Sequence, residues 1–403
     1  KPVAEGSDYE MGELRIGIKG NPSFGNVRVL MLGLKNGLPD ASPQDVCGEV
    51  WFNELRLSEM KNEGGWAAIL NMDTNFADFA NVTATGRRST IGFGSIEQGP
   101  NERSRDDVKQ YDIVTNVNFG QLLPKSWGLK IPFNYSIGEE IITPQYDPEY
   151  LDLELQTRLD NAESAQEEEE ILERAQNYTK RQSINLIGLR KERTGEEVPM
   201  PYDIENFAVS ATYNQVDHRD FEIEDALDQN VRLGATYDYT FPEFGIEPFK
   251  NIPALDSSEY YAPIKDFNFS PLPTSISSSS NIIRQYNEQK FREFNLPEGS
   301  IGIPTLYQRN FLFDWQYTLN YNPTKSLSLN YNSSNNRIVR NYIDEDNNED
   351  NSIGIWDGFF NVGDPNYHFQ SLQANYAIPF EKIPALKFLR ATYTYSSDFQ
   401  WQK

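Results

Sequence analysis

The residues best suited to hold a metal ion lie in an acidic run near the C-terminal end of the sequence. Oxygen ligands alternate there as they do in loops that wrap calcium: Asp344, Asp346, Asn348 and Asp350. The EF-hand template fails, because Glu349 stands at its sixth position instead of glycine and Ile355 at its twelfth instead of glutamate. A solvated acidic loop is therefore the favoured interpretation, with a calcium site as the alternative.

Other residues that could do chemistry are weaker candidates. The lone His218, in the Asp-His-Arg-Asp segment 217–220, is more typical of a surface turn than of a metal pair. The Gly-Phe-Gly segment 92–94 has no lysine and no helix after it, which favours a tight turn over phosphate binding. Four glutamates at 167–170 indicate the solvated face of a helix, and Cys47 is most simply a small buried hydrophobe. No pair of carboxylates stands out for glycoside hydrolysis. We therefore predict no catalytic residue, no cofactor and no enzyme activity.

Composition narrows the function further. The chain has 403 residues, of which 36 are Lys or Arg and 60 are Asp or Glu, so its formal net charge of -24 disfavours nucleic-acid binding. With one cysteine and two histidines, the chain has very few of the usual ligands of a zinc site. No stretch approaches the ~18 consecutive apolar residues of a membrane helix. That argument does not apply to barrel strands, whose apolar face alternates with a polar one.

Strict alternation of apolar and polar residues dominates the chain from Trp66 onward and predicts about a dozen long strands. The best segments are 68–76, 112–119, 129–137, 207–214, 231–241, 311–321, 327–331, 372–378 and 389–401, with weaker ones near Ile184 and Phe267. Aromatic residues mark strand ends, as interfacial girdles require: Tyr239, Phe241, Trp315, Tyr317, Tyr321, Phe399 and Trp401. Proline-flanked turns recur at 123–132, 241–248 and 378–384, which suggests one side of a sheet using one turn design. We predict an all-β fold in which residues 61–403 form a section of transmembrane barrel wall.

Four segments depart from this pattern. Residues 1–60 predict a small, jelly-roll-like β unit with strands at 13–19, 27–34 and 49–57. Residues 147–182 predict a charged helical insertion that starts at Asp147-Pro148. Residues 247–306 predict a Pro/Ser-rich connection and residues 341–367 an acidic loop. The chain lacks an initiator Met and ends within a strand-like alternation, so we expect it to be an internal piece of a longer protein.

Several motifs between Gly48 and Asp147 resemble, in order and spacing, the SprA/Sov family. The residues that carry the resemblance are Trp51, Asn53, Leu55, Arg56, Gly65, Trp66, Asp78, Gly86, Gly92, Phe93, Gly94, Tyr111, Pro124, Pro132 and Pro144. That family comprises the giant outer-membrane translocons of the Bacteroidota type IX secretion system. The downstream strands and proline turns are similar to the family in style only.

The resemblance implies a very large single-chain barrel in the outer membrane that passes folded cargo proteins to the cell surface. It also implies three kinds of partner, namely a PorV-type barrel, a periplasmic plug protein and the cargo, and a possible link to gliding motility. Two other functions remain open, a TonB-dependent receptor barrel and a soluble surface β-sandwich adhesin. A receptor would show a plug domain and an energy-coupling box upstream, whereas an adhesin would dissolve without detergent.

Overall fold

The computed structural model describes residues 8–11, 14–17, 29, 31–33, 48–52, 64–99, 102–196, 198–294 and 301–403. The strands, in chain order, are β1 (Asp8–Met11), β2 (Leu14–Gly17), β3 (Ala67–Phe76), β4 (Ala80–Ser89), β5 (Asp106–Asn118), β6 (Leu129–Lys130), β7 (Pro132–Pro144), β8 (Asn177–Lys191), β9 (Phe207–Arg219), β10 (Ile223–Thr240), β11 (Ser275–Phe291), β12 (Leu306–Thr324), β13 (Leu327–Ile338), β14 (Asp364–Ile378) and β15 (Ala391–Gln402).

Two sheets contain these strands. β1 and β2 form an antiparallel pair. The other thirteen form one sheet in the order β15-β14-β13-β12-β11-β10-β9-β8-β7-β5-β4-β3, with β6 paired to β8. From β8 to β15 each strand pairs antiparallel with the next one along the chain. The predicted all-β fold is therefore confirmed, and the sheet ends at β3 on one side and β15 on the other.

Helices are few and short: α1 (Leu155–Asp160), α2 (Ala165–Ala175) and α3 (Ala262–Lys265), with short 3-10 turns at Phe119–Leu122, Lys125–Trp127, Ile204–Asn206, Pro253–Ser257, Glu259–Tyr261, Phe380–Lys382 and Pro384–Leu386. None of the helices in the described part of the chain has the length and apolar character needed to cross a membrane.

The chain divides into two compact units. The first comprises the described parts of 1–69 together with 87–109 and 141–177. Its small core consists of Leu155, Ile171 and Ala175, with Leu159 and Ala162 packed against them. The second comprises 70–86, 110–140 and the described parts of 178–403. Its core consists of Val231, Tyr286, Phe311, Val339 and Ile355.

The helical insertion begins later than predicted. Asp147 does not start a helix. Its carboxylate accepts hydrogen bonds from the backbone N–H groups of Glu149 and Tyr150 (2.7 and 3.1 Å) as an N-cap does, but residues 148–153 form only bends and turns. The helices occupy only 155–175, and β8 already begins at Asn177. Ser164 caps α2 through a hydrogen bond from the N–H of Glu167. The glutamates at 167–170 are exposed on that helix, as expected.

Three strand predictions were wrong. The Pro/Ser-rich connection predicted over 247–306 contains the 17-residue strand β11, which includes the serine run 277–280. The weak strand near Phe267 is only a single bridge between Ile246 and Phe269. The alternation over 129–137 is broken at Ile131, where β6 ends and β7 begins at Pro132. Proline cannot donate a ladder hydrogen bond, which explains why pairing changes there.

The predicted N-terminal unit lies mostly outside the described residues. β2 falls within the predicted strand 13–19. The described parts of the other two predicted strands, residues 29, 31–33 and 49–52, are not in strand conformation. Trp51 is 88% exposed, so the apolar packing that would hold such a strand is missing at this residue. Asn53, Leu55, Arg56 and Cys47 lie outside the described residues.

Candidate functional site: an apolar and a polar face

The two faces of the sheet differ sharply in chemistry from β9 to β15. In the observed register, Tyr213 of β9 lies opposite Val231, and Val231 lies opposite Arg284 of β11, which lies opposite Phe311 of β12. Because side chains alternate along each strand, these pairs define which residues share a face. The apolar face carries Phe207, Val209, Ala211, Leu233, Ala235, Tyr237, Tyr239, Ile282, Phe313, Leu319, Tyr331, Leu372, Ala374, Tyr376, Tyr393, Tyr395, Phe399 and Trp401.

Much of the apolar face is uncovered, and its aromatic residues contact one another. Tyr393, Phe399 and Trp401 of β15 are 61%, 51% and 42% exposed. Trp315 and Tyr317 stack with ring centroids 5.5 Å apart and lie in the middle of β12, not at its end as predicted. An exposed apolar surface spread over several strands requires another apolar medium or partner to cover it.

The polar face consists chiefly of amides and hydroxyls that bond across strands. Asn336 donates to Asp314 (2.6 Å), and Thr318 donates to Asn332 (2.8 Å). The same pattern continues with Asn320 to Ser275 (2.9 Å) and Thr394 to Asn375 (3.0 Å). Such a face is hydrophilic yet carries little charge.

One end of the apolar face is covered by the connection between β13 and β14, residues 339–363, which we call the strap. Val339 and Ile355 of the strap are fully buried against Val231 and Phe311. Arg284, which is also fully buried, donates to the strap carbonyls of Phe359 (2.7 Å) and Asn361 (2.8 Å) and to the carbonyls of Ile283 and Leu312.

A second arginine holds the strap in a similar way. Arg309 donates from Nε to the carbonyl of Ile353 (3.1 Å), and its guanidinium lies over the rings of Tyr286, Tyr307 and Tyr342 at 5.1 to 5.5 Å. Sequence reasoning missed both arginines. The sequence did contain a signal, because each arginine occupies a position in its strand where the apolar–polar alternation predicts a residue of the apolar face.

The calcium candidates belong to the strap and bond to its own donors. The Asp344 carboxylate accepts from the backbone N–H (2.7 Å) and the side chain of Asn348, and these bonds lower the pKa of Asp344. Asp350 accepts from the hydroxyl and the N–H of Ser352, which likewise lowers its pKa. Asp346 is exposed. Among the described residues, no group of three or more Asp, Glu, His or Cys could hold a metal ion.

Two further ion-pair clusters lie outside the long strands of the sheet. Asp147 is buried and pairs with Arg158 (2.5 Å), which also bonds Glu149. Burial alone would lower the pKa of Arg158, but these two carboxylates outweigh it and raise that pKa. In the connection after β10, Lys250 and Lys325 both donate to Glu247 and lower its pKa to about 2.

The structure brings some of the resemblance residues together. Trp66 and Thr90 exchange backbone and side-chain hydrogen bonds, and a Cβ on Gly65 would collide with the backbone of Ile91 and Phe93. Gly92 has a φ of +83° in a turn that the N–H of Phe93 closes on the carbonyl of Thr90 (3.2 Å), so the turn lies at 90–93, two residues before the predicted segment 92–94. Asp78 and Pro132 line one pocket. The other described residues that carry the resemblance are Trp51, Gly86, Gly94, Tyr111, Pro124 and Pro144. His218 lies in β9 and contacts Thr179 and Asp220 instead of standing in a surface turn.

Comparison with known proteins identifies the N-terminal part of the chain. Residues 5–159 match the SprA_N family model, described as a motility related/secretion protein. Over these residues the chain is similar to the SprA_N family. The match contains every residue on which the resemblance rested, so this SprA-type protein is related to motility or secretion. No curated protein matches the chain.

Proposed function

We propose that this SprA-type chain forms a section of the wall of a protein-conducting outer-membrane translocon. In this proposal, the apolar face is directed toward lipid and the polar face toward a water-filled passage. The observation that carries it is the uncovered apolar face on β9 to β15 with a polar face behind it. A soluble sandwich would bury such a face under a second sheet, whereas a barrel wall leaves it to the bilayer.

The slant of the apolar face supports a tilted wall. On β9 the apolar run 207–213 lies opposite 231–237 of β10. On β14 the run begins at Leu372, which aligns through Tyr331, Leu319 and Ile276 with Tyr239 of β10. Between β9 and β14 the start of the run moves from the level of Val231 to that of Tyr239. The shift falls after β12, where the run still begins at Phe311, level with Val231.

The polar face suits the passage of folded proteins. Amide and hydroxyl groups that already bond one another offer few free charges to a passing surface, so cargo would not be held there by ion pairs. The passage has no turnover of its own in this proposal, and its selectivity comes from partners. Those partners are the ones the resemblance implies, a PorV-type barrel, a periplasmic plug protein and secreted cargo, and a role in gliding motility belongs to the same proposal.

Orientation is tested by labelling neighbouring residues of one strand. Leu319 and Thr318 of β12 lie on the apolar and the polar face respectively. Each is changed to cysteine in full-length protein that lacks Cys47, and a spin label there is probed with a lipid-soluble and a water-soluble relaxation agent. We expect lipid contact at 319 and water contact at 318. The reverse result would refute the orientation, and water at both positions would favour a soluble adhesin.

Conduction is tested in planar bilayers. Full-length protein stripped of its partners should show a large conductance that falls when the plug and the partner barrel are restored. A conductance no greater than that of a small porin, unchanged by the partners, would instead favour a receptor barrel.

A further inference from the structure

A pocket of about 440 Å³ opens on the polar face, within the size range of ligand sites. It lies between the β3–β4 turn, the end of β5, the start of β7 and the middle of β8. Its lining combines apolar residues with six asparagines: Asn75, Asn81, Asn116, Asn118, Asn134 and Asn185. We call it the amide pocket.

Three of these asparagines form a chain of hydrogen bonds in which each side chain donates to the next one. Asn185 donates from Nδ2 to Oδ1 of Asn134 (3.0 Å), and Asn134 donates from Nδ2 to Oδ1 of Asn116 (2.8 Å). The chain ends at the Nδ2 group of Asn116, which has no hydrogen-bond partner in the described part of the chain. Hydrogen bonds in series polarise one another, so this terminal N–H₂ group is a strengthened donor that faces the pocket.

An apolar side chain lines the same pocket because of a β-bulge. The register of β8 against β9 shifts between Leu186 and Leu189, and Gly188 there has a φ of +75°. Ile187 lines the pocket and is 60% exposed, which is unusual on an otherwise polar face. Bulges occur next to binding sites, where they redirect a side chain. Phe79 adds a second apolar contact, and its carbonyl oxygen is fixed by the N–H of Asn118 (2.8 Å).

We propose that the amide pocket binds an extended, uncharged polypeptide segment. A peptide carbonyl would accept from Asn116, and an apolar side chain would pack on Ile187 and Phe79. Amides donate and accept as a peptide backbone does, and Asp78 is the sole charged residue among those that line the pocket, so an anionic ligand is disfavoured. The choice of a polypeptide rests on the proposed function, in which polypeptides move along this face.

The test uses full-length protein in detergent and one defined peptide, acetyl-Thr-Val-(4-fluoro-Phe)-Val-Thr-amide, followed by ¹⁹F NMR. We expect saturable broadening of the fluorine signal. Asn116→Leu should weaken binding about five- to tenfold, because it removes the free donor, and Ile187→Thr should weaken it by a similar factor. Asn332→Leu is the matched control on the same face, and it should leave binding unchanged.

Three results would overturn this proposal. The first is that the peptide does not bind at millimolar concentration. The second is that the peptide binds but neither pocket variant weakens it. The third is that chitotetraose binds at the pocket in place of the peptide, which would make the pocket a glycan site. None of these alters the labelling pattern or the bilayer conductance, so failure here is distinguishable from failure of the proposed translocon.

Discussion

Replacing Arg284 with methionine should release the strap from the sheet. Methionine keeps much of the side-chain volume but removes the donors to the carbonyls of Phe359 and Asn361. Hydrogen bonds from a charged donor contribute about 1.5–3 kcal/mol each to stability. The variant also no longer has to desolvate a guanidinium, and this gain offsets part of the loss of the hydrogen bonds. We expect a net cost of about 3 kcal/mol, which raises the opening equilibrium of the strap about a hundredfold.

Hydrogen exchange measured by mass spectrometry is the assay, because the cost falls on local opening and not on the whole sheet. Backbone amides of the strap, such as those of Val339 and Asp350, are bonded to carbonyls in the closed state and should exchange faster in Arg284→Met. Arg232→Met is the matched control, because Arg232 is exposed on the polar face and, among the residues that the structure describes, bonds only the side chain of Asn281. Unchanged protection of the strap in Arg284→Met, or an equal rise in both variants, would refute the reasoning.

Three further predictions follow from other regions. Leu319→Arg should destabilise the membrane-inserted protein by about 2–4 kcal/mol in denaturant titrations while Thr318→Arg is mild, and equal costs would contradict the assignment of faces. Gly65→Ala should lower the melting temperature because its Cβ collides with backbone, whereas Gly86→Ala, with open space around it, should not; a reversed order would refute the contact. The low pKa of Glu247 stabilises the folded state above pH 4.5, and this contribution should be lost as pH falls toward about 2. Glu247→Gln should abolish that pH dependence of protease resistance in its loop, and an unchanged profile would count against the ion pairs.

Strands with strict alternation were predictable from the sequence, because burial on one face imposes period two. β10 is an example, since its apolar positions from Val231 to Tyr239 all fall on the same face. β11 was missed because serine gives no apolar signal. In the sheet, however, Ser280 and Ser278 lie opposite Trp315 and Tyr317, so small side chains leave room for the stacked rings.

The strap and the amide pocket depend on register, which no single segment encodes. Arg284 and Phe359 are far apart in sequence, and only the pairing of β11 through β14 brings them within hydrogen-bond distance. The same holds for Asn116, Asn134 and Asn185, which come from three different strands. Polar positions on each strand were visible in the sequence, but their alignment into a directional chain was not.

The charge of the chain is distributed in a way that its total does not reveal. The sequence has 60 acidic residues, and dense runs of them lie in α2 and in the strap, outside the long strands. The polar face instead bonds through amides and hydroxyls such as those of Thr318 and Asn332. A passage lined in this way offers passing cargo few charged groups, although the chain as a whole is strongly acidic. Acidic segments at the strand ends would repel anionic lipid headgroups, so in the proposed wall the apolar face has to hold the sheet in the bilayer.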